Sequence, residues 1–460
     1  MTYRSVNPFD GSVLETFDEI DDDQLERALQ TADRCFGSWR SRTFSERGAV
    51  LTGAAIALRV RIEELARPIT LEMGKLIKES RAEVALSADI LEYFAENAER
   101  FLAPEKLDTP LGRATIESSP LGVLFGVQPW NFPYYQLARV VAPNLMAGNV
   151  VMVKHASSVP RCALAFARLL EDAGAPAGAY TNLFVTKDQI ARIIEDRRVK
   201  GVALTGSDAA GAAVAAQAGK ALKKSTMELG GSDPFIVLED ADLDDAVRGA
   251  LWGRFHNAGQ SCVASKRLIV LEPLADRFLE KFKAAADRLR MGNPLDEATT
   301  LAPLSSREAL DKLLDQIERA VAKGARILLG GRRVEGKGAF LQPTILTDIK
   351  PGNPAYTEEF FGPVALFFRV PDEDAAIALA NDTPFGLGGS VFTQDIPRGK
   401  RLARRIESGM VFINRATWTA PELPFGGIKR SGYGRELSHL GIHEFVNKKL
   451  IRVTRVDAPY

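Results

Sequence analysis

The residues best suited to do chemistry in this chain are Cys262 and Glu228. Cys262 closes Asn257-Ala258-Gly259-Gln260-Ser261-Cys262, and Glu228 opens Glu228-Leu229-Gly230-Gly231 earlier in the chain. A thiol and a carboxylate, each beside a glycine turn, suggest a covalent nucleophile and its general base. Only the thiolate attacks a carbonyl well, and a free cysteine at neutral pH is only slightly ionised. Such a site needs backbone N–H groups close to the sulfur, and glycines let the backbone approach. Taken alone, Cys262 reads equally as a buried structural thiol, the commoner fate of a free cysteine.

Three further segments end apolar runs and offer polar groups there. Pro129-Trp130-Asn131-Phe132-Pro133 follows Leu121–Val127, and its prolines fix the backbone around Asn131. The Asn131 amide can stabilise a developing oxyanion, or simply satisfy its own turn. Val150-Val151-Met152-Val153-Lys154-His155-Ala156-Ser157 places Lys154 and Ser157 at a strand end, where parallel sheets bind ligands. Leu204-Thr205-Gly206-Ser207-Asp208 opens a helix whose free N–H groups suit a phosphate, although it is not a GxGxxG motif.

The elements that must position these residues alternate. Apolar runs at 121–127, 150–154, 180–185, 201–205, 235–238, 267–271, 364–370 and 410–414 read as strands. Helical patterns lie near 21–39, 45–67, 79–100, 159–173, 187–197, 208–222, 243–257, 273–289 and 306–323. Such alternation predicts an α/β fold with parallel sheets covered by helices. Leu450–Val456 partly alternates apolar with polar residues, as an edge strand or a subunit contact does.

With 460 residues, 46% of them apolar, the chain is expected to build more than one core. Basic and acidic residues both number 59, which gives no field to attract nucleic acid or an anionic membrane. There is no apolar run of membrane-spanning length, and Met1–Pro8 lacks the apolar core of a signal peptide. Three scattered cysteines (Cys35, Cys162, Cys262) fit a reducing, cytoplasmic setting. Four histidines without ligand spacing make a metal site unexpected.

Seven segments then match one family in order and spacing: PWNFP (129–133), KHAS (154–157), LTGSDAAG (204–211), ELGG (228–231), NAGQSC (257–262), EEFFGPV (358–364) and PFGGIKRSGYGRE (424–436). The chain resembles the aldehyde dehydrogenase superfamily over essentially its full length. The resemblance implies a Rossmann-type dinucleotide-binding domain (1–107 and 120–228), a catalytic α/β domain (229–430), and a β-strand oligomerisation segment (108–119 and 431–460). It implies a homodimer or homotetramer. It makes Cys262 the nucleophile that forms a thiohemiacetal, with Asn131 and the Cys262 N–H as oxyanion hole. Hydride transfer to nicotinamide would leave a thioester, which water activated by Glu228 would hydrolyse to an acid. Lys154 would hold the adenosine ribose, Gly206 and Ser207 the pyrophosphate, and Glu359 and Phe361 the nicotinamide ribose and ring. Val127, Gln128, Pro129, Trp130, His155, Leu229 and Gly230 would complete the cofactor cleft.

Relatives typically carry a glutamate where this chain has Ser157, and that carboxylate repels a 2′-phosphate. Serine beside Lys154 predicts a preference for NADP, with NAD use possible. Among subfamilies the likeness is greatest to short bacterial succinate-semialdehyde dehydrogenases. Arg139, two helical turns past Asn131, is the expected partner of a distal carboxylate. Some such enzymes place a second arginine six residues before the nucleophile, and here that residue is His256. Tyr135, His256, Ser261, Trp418 and Thr419 are the other expected substrate contacts, with Arg254 and Arg415 as helpers. A broader aldehyde specificity is the nearest alternative. Glu228 argues against a CoA-acylating enzyme, whereas a Cys262–His256 hydrolase or a catalytically silent homologue has less support.

Overall fold

In the computed structural model, residues 3–109, 112–336, 338–454 and 456 are described. Three sheets organise the chain. The first has six strands, in the order Gly432–Tyr433, Lys224–Glu228, Val199–Thr205, Val123–Gln128, Val150–His155, Tyr180–Asn182. All neighbours in it are parallel except the first pair, which is antiparallel. The chain runs outward from Val123–Gln128 through two strands, then returns to Val199–Thr205 on the opposite side. That reversal is a topological switch point, where open parallel sheets leave a crevice at their carboxyl ends.

The second sheet has seven strands. Its centre is Thr344–Thr347, Val364–Val370, Ser265–Leu271, Asp233–Val237 and Ser390–Phe392, all parallel. The central strands are buried along nearly their whole length, as doubly covered strands are. Helices such as Pro133–Ala147, Pro160–Asp172, Leu243–Phe255 and Arg307–Ala322 cover the two large sheets. The fold is therefore the parallel-sheet α/β architecture expected from the alternating pattern.

The third sheet is antiparallel, in the order Val446–Val453, Gly112–Pro120, Glu105–Thr109. The tail strand thus pairs within its own chain, and it begins earlier than the alternation at Leu450 indicated. Of the predicted segments 108–119 and 431–460, residues 110, 111, 455 and 457–460 lie outside the described residues. Two further differences from the sequence reading are local. The helical pattern at 45–67 is two helices, Phe44–Val60 and Ile62–Met73, parted at Arg61. Arg61 leaves helical geometry while its guanidinium reaches Glu64 (2.9 Å) and, from a distant helix, Asp172 (3.4 Å), a contact with no periodic signature. An N-terminal hairpin, Tyr3–Val6 with Val13–Phe17, went unforeseen; its Arg4 N–H donates to the Ser157 carbonyl.

Candidate active site

Cys262 lies in the turn between a short 3-10 segment, His256–Gly259, and the strand Ser265–Leu271. Asn257, Ala258 and Gly259 all take positive φ, at 53°, 52° and 75°. An alanine there is strained, and strain of this kind persists only where surroundings over-determine it. Here they do. The Arg254 guanidinium donates to the Gly259 carbonyl (2.7 Å), and a Cβ at Gly259 would sit 2.3 Å from the Gly362 carbonyl. The EEFFGPV segment is therefore packed beneath the nucleophile turn.

Asn131 meets the same turn from the first sheet. Its Nδ2 donates to the Gln260 carbonyl at 3.2 Å. Its own carbonyl accepts from Lys75 Nζ (2.9 Å) and Asn257 Nδ2 (3.0 Å). Lys75 is fully buried and ion-paired with Glu83, whose other oxygen accepts the N–H groups of Tyr134 (2.9 Å) and Tyr135 (3.3 Å). The N-terminus of the helix Pro133–Ala147 and the Asn131 carbonyl are thus anchored by one buried ion pair.

Glu228 ends the strand Lys224–Glu228 and is buried, yet neither carboxyl oxygen has a hydrogen-bond partner among the described residues. Buried carboxyls normally find partners, so this one is free to hold a water. The PFGGIKRSGYGRE segment wraps it: Gly432 pairs with Glu228, and a Cβ at Gly426 would lie 2.7 Å from its Oε1. Burial, followed by the nearby Glu436, pushes the Glu228 carboxyl well above the usual range. The Cys262 thiol is pushed up to about 12, first by burial, with Arg139 and Lys266 pulling it down and Glu359 and Glu228 opposing them. The Asn131 amide thus bonds to the turn that holds Cys262, and Arg139, Lys266, Glu359 and Glu228 all act on its thiol.

The expected cofactor residues ring the switch point. Lys154 lies near the end of the strand Val150–His155 and Ser157 just follows it, both half-buried, and burial together with Lys187 weakens the Lys154 ammonium. Gly206 and Ser207 follow Val199–Thr205, and Ser207 caps the helix Asp208–Lys220. Val127 and Gln128 end the strand between them, with Pro129 and Trp130 in the following turn; the buried Gln128 amide has no partner among the described residues. Leu229 and Gly230 are fixed by Ser431, through the Leu229 N–H (3.0 Å) and the Gly230 carbonyl (2.6 Å). Glu359 accepts from the Gly231 N–H at 3.0 Å, and Phe361 meets Trp130 edge to face. A crevice at a switch point, lined by a helix N-terminus, a cation and unpartnered polar atoms, fits a dinucleotide. His155 differs from the rest: its ring is fully buried, engaged by the Pro133 carbonyl (2.9 Å) and the Ala156 N–H (2.8 Å). Burial holds it neutral, down to about 4, so its side chain shapes the turn instead of facing a ligand.

On the substrate side, Trp418 and His256 form an aromatic wall with Trp252 and Phe132. Their ring centroids are 5.0 Å apart for His256–Trp418 and 6.1 Å for Phe132–Trp418. His256 Nδ1 lies 3.1 Å from Glu79. The Tyr135 hydroxyl donates to Thr419 (3.0 Å) and accepts from Arg139 (3.1 Å). Ser261 is buried, its carbonyl taken by Lys266. Arg139 corrects the sequence reading. It is not a free guanidinium aimed into a tunnel but a buried one, 1% exposed and paired with Glu436. The helix carrying it is buried on every face, so a charge there needs a counter-ion. Arg139 stays firmly charged because the attraction of Glu436 and Tyr135 outweighs desolvation. Glu436 is nonetheless pushed above the usual range, since for it burial outweighs Arg139. Of the helpers, Arg254 turns into the nucleophile loop and Arg415 is exposed. Lys75 and Lys266 escaped sequence reasoning. The one available signal was a lysine heading the apolar run Leu268–Leu271, where an uncompensated cation does not belong.

Known proteins share this arrangement. The chain is 48% identical to a succinate-semialdehyde dehydrogenase [NADP(+)] of Deinococcus radiodurans, over 98% of this chain and 94% of that one. It is 44% identical to the succinate semialdehyde dehydrogenase [NAD(P)+] Sad of Escherichia coli, over 98% of each. The crystal structure of succinic semialdehyde dehydrogenase from Streptococcus pyogenes, in complex with NADP+, superposes with a TM-score of 0.97. That protein is 46% identical, with 98% of this chain and all (100%) of that one covered. The aldehyde dehydrogenase family model matches residues 1–451, which takes in both sheets, the nucleophile turn and the segment around Glu228, and the chain belongs to that family.

Proposed function

We propose that the protein oxidises succinate semialdehyde to succinate with NADP. The observation that carries the chemistry is the Asn131 amide bonded to the turn that holds Cys262, with a buried Glu228 carboxyl that has no partner among the described residues and acts on the same thiol. Cys262 adds to the aldehyde carbon, and the Asn131 amide with the Cys262 N–H supports the oxygen as it gains charge. When bound, NADP supplies the hydride acceptor for the oxidation that leaves a thioester on Cys262. Glu228 then takes a proton from water, which attacks the thioester and releases the acid. In the free protein Glu228 is biased toward its protonated form, so the hydrolytic step gains from rising pH.

For NADP the chain offers Lys154 and, at position 157, a small donor in place of a carboxylate that would repel a 2′-phosphate. For the distal carboxylate it offers the Tyr135 and Thr419 hydroxyls backed by Arg139, with Phe132 in ring contact with both Tyr135 and His256. Because Glu436 already balances Arg139, the hydroxyl pair carries more of the recognition than a lone guanidinium would leave to it. The names of the relatives, at 44–48% identity over nearly the full chain, favour the same substrate and cofactor. The reading extends to a division into cofactor-binding (1–107, 120–228) and catalytic (229–430) parts. It extends also to a homo-oligomer built through the three-stranded sheet, whose edge strand exposes Leu450 and Val453. No helix among the described residues is long and apolar enough to cross a membrane.

The test is kcat/KM for succinate semialdehyde against an uncharged aldehyde of similar length, with NADP and with NAD. The semialdehyde with NADP is expected to lead by at least about tenfold, the order set by one retained charge-assisted hydrogen bond. Equal rates on both aldehydes would leave aldehyde oxidation standing and remove succinate semialdehyde.

A further inference from the structure

Lys266 sits near the start of the strand Ser265–Leu271 and is 0% exposed. Its ammonium has three partners: the Ser261 carbonyl (2.9 Å), the Cys262 carbonyl (2.8 Å) and Glu359 Oε1 (3.1 Å). A lysine has three N–H donors, and all three are used. Packing alone does not ask for this, since an aliphatic side chain would fill the space without desolvating a charge.

The geometry has a directional consequence. A trans peptide is planar, and its carbonyl and N–H point opposite ways. Drawing the Ser261 carbonyl toward Lys266 therefore turns the Cys262 N–H outward, away from the ammonium. Glu359 is held from its other side too, by the Gly231 N–H at 3.0 Å, in the turn that follows Glu228. One ammonium and one carboxylate thus join the nucleophile turn to the turn behind the general base.

We propose that Lys266 is a positioning residue that aims the Cys262 N–H into the oxyanion site and keeps a fixed charge behind the sulfur, with Glu359 as its counter-ion. The proposal rests on reading Cys262 as the nucleophile. Four charged groups act on that thiol: Arg139 and Lys266 favour its ionisation, while Glu359 and Glu228 oppose it. Lys266 and Glu359 therefore act with opposite signs on the same sulfur, which gives their substitutions opposite expected effects on its reactivity.

The experiment is the second-order rate of iodoacetamide alkylation of Cys262 in the free enzyme between about pH 7 and 10, followed by peptide mass spectrometry. Cofactor and turnover are absent from this readout, and wild-type turnover separately tests the nucleophile reading. Lys266→Met is expected to slow alkylation roughly three- to tenfold at pH 8 and move the profile to higher pH, as loss of a nearby cation does. Glu359→Gln is expected to speed it and move the profile to lower pH. Should Lys266→Met not fold, Lys266→Gln carries the same expected sign. Slowing in both the lysine and glutamate variants would signal a loosened turn and overturn the proposal. No change in either one would also overturn it.

Discussion

At the residue scale, Glu228 is a buried carboxyl with no hydrogen-bond partner among the described residues. Its unfolded pKa is about 4.3, and burial with Glu436 raises the folded value. Between those two values the native state holds a proton that the unfolded state has released. Stability therefore falls as pH rises through that window. Glu228→Gln cannot ionise, so its Tm is expected to exceed that of the wild type at pH 8 and to match it near pH 4, measured by calorimetry. Ser157 carries a second prediction: Ser157→Glu should lower kcat/KM for NADP relative to NAD by about tenfold or more, by restoring repulsion of a 2′-phosphate. These residues were legible in the sequence because each ends an apolar run or adjoins a glycine turn. Lys75 and Lys266 were not. Each is held by neighbours in sequence together with one group from a distant segment, Asn131 for Lys75 and Glu359 for Lys266, and a lone lysine in sequence looks like a solvated charge.

At the element scale, the helix Pro133–Ala147 decides how substrate recognition can be dissected. Its spacing puts Arg139 two helical turns past Asn131, but periodicity does not reveal that every face of the helix is buried. The counter-ion, Glu436, comes from a segment almost three hundred residues away in sequence. Arg139→Ala would strand that carboxylate and is expected to cost about 3–5 kcal/mol of stability. Tyr135→Phe and Thr419→Ala leave the ion pair intact and are the cleaner probes. Each is expected to raise KM for the semialdehyde about five- to tenfold with little change for an uncharged aldehyde. Equal losses on both substrates would place the hydroxyls in general packing. Strand–helix alternation was legible because buried parallel strands are written as continuous apolar runs. The division at Arg61 and the N-terminal hairpin were not, since side-chain ion pairs and docking against the Ser157 carbonyl set them.

At the scale of the whole molecule, two sheets each bring half of the chemistry. The first supplies Asn131, Glu228 and the crevice at the switch point; the second supplies Cys262 through the turn before its strand. Among the described residues one edge of Val446–Val453 has no pairing strand, and Leu450 is 62% and Val453 70% exposed. Apolar side chains exposed on an edge strand are a liability unless another surface covers them. Light scattering on the wild type is expected to show an oligomer, and Leu450→Asp with Val453→Asp to shift it toward smaller species. Acylation of Cys262 comes first, and its release depends on Glu228. The order is read by mixing Glu228→Gln with succinate semialdehyde and NADP in a stopped-flow instrument, then analysing the quenched protein by peptide mass spectrometry. One rapid equivalent of NADPH per site is expected, then a stall, with an acyl group on the Cys262 peptide. Continued turnover at the wild-type rate with no acyl group on Cys262 would contradict that order.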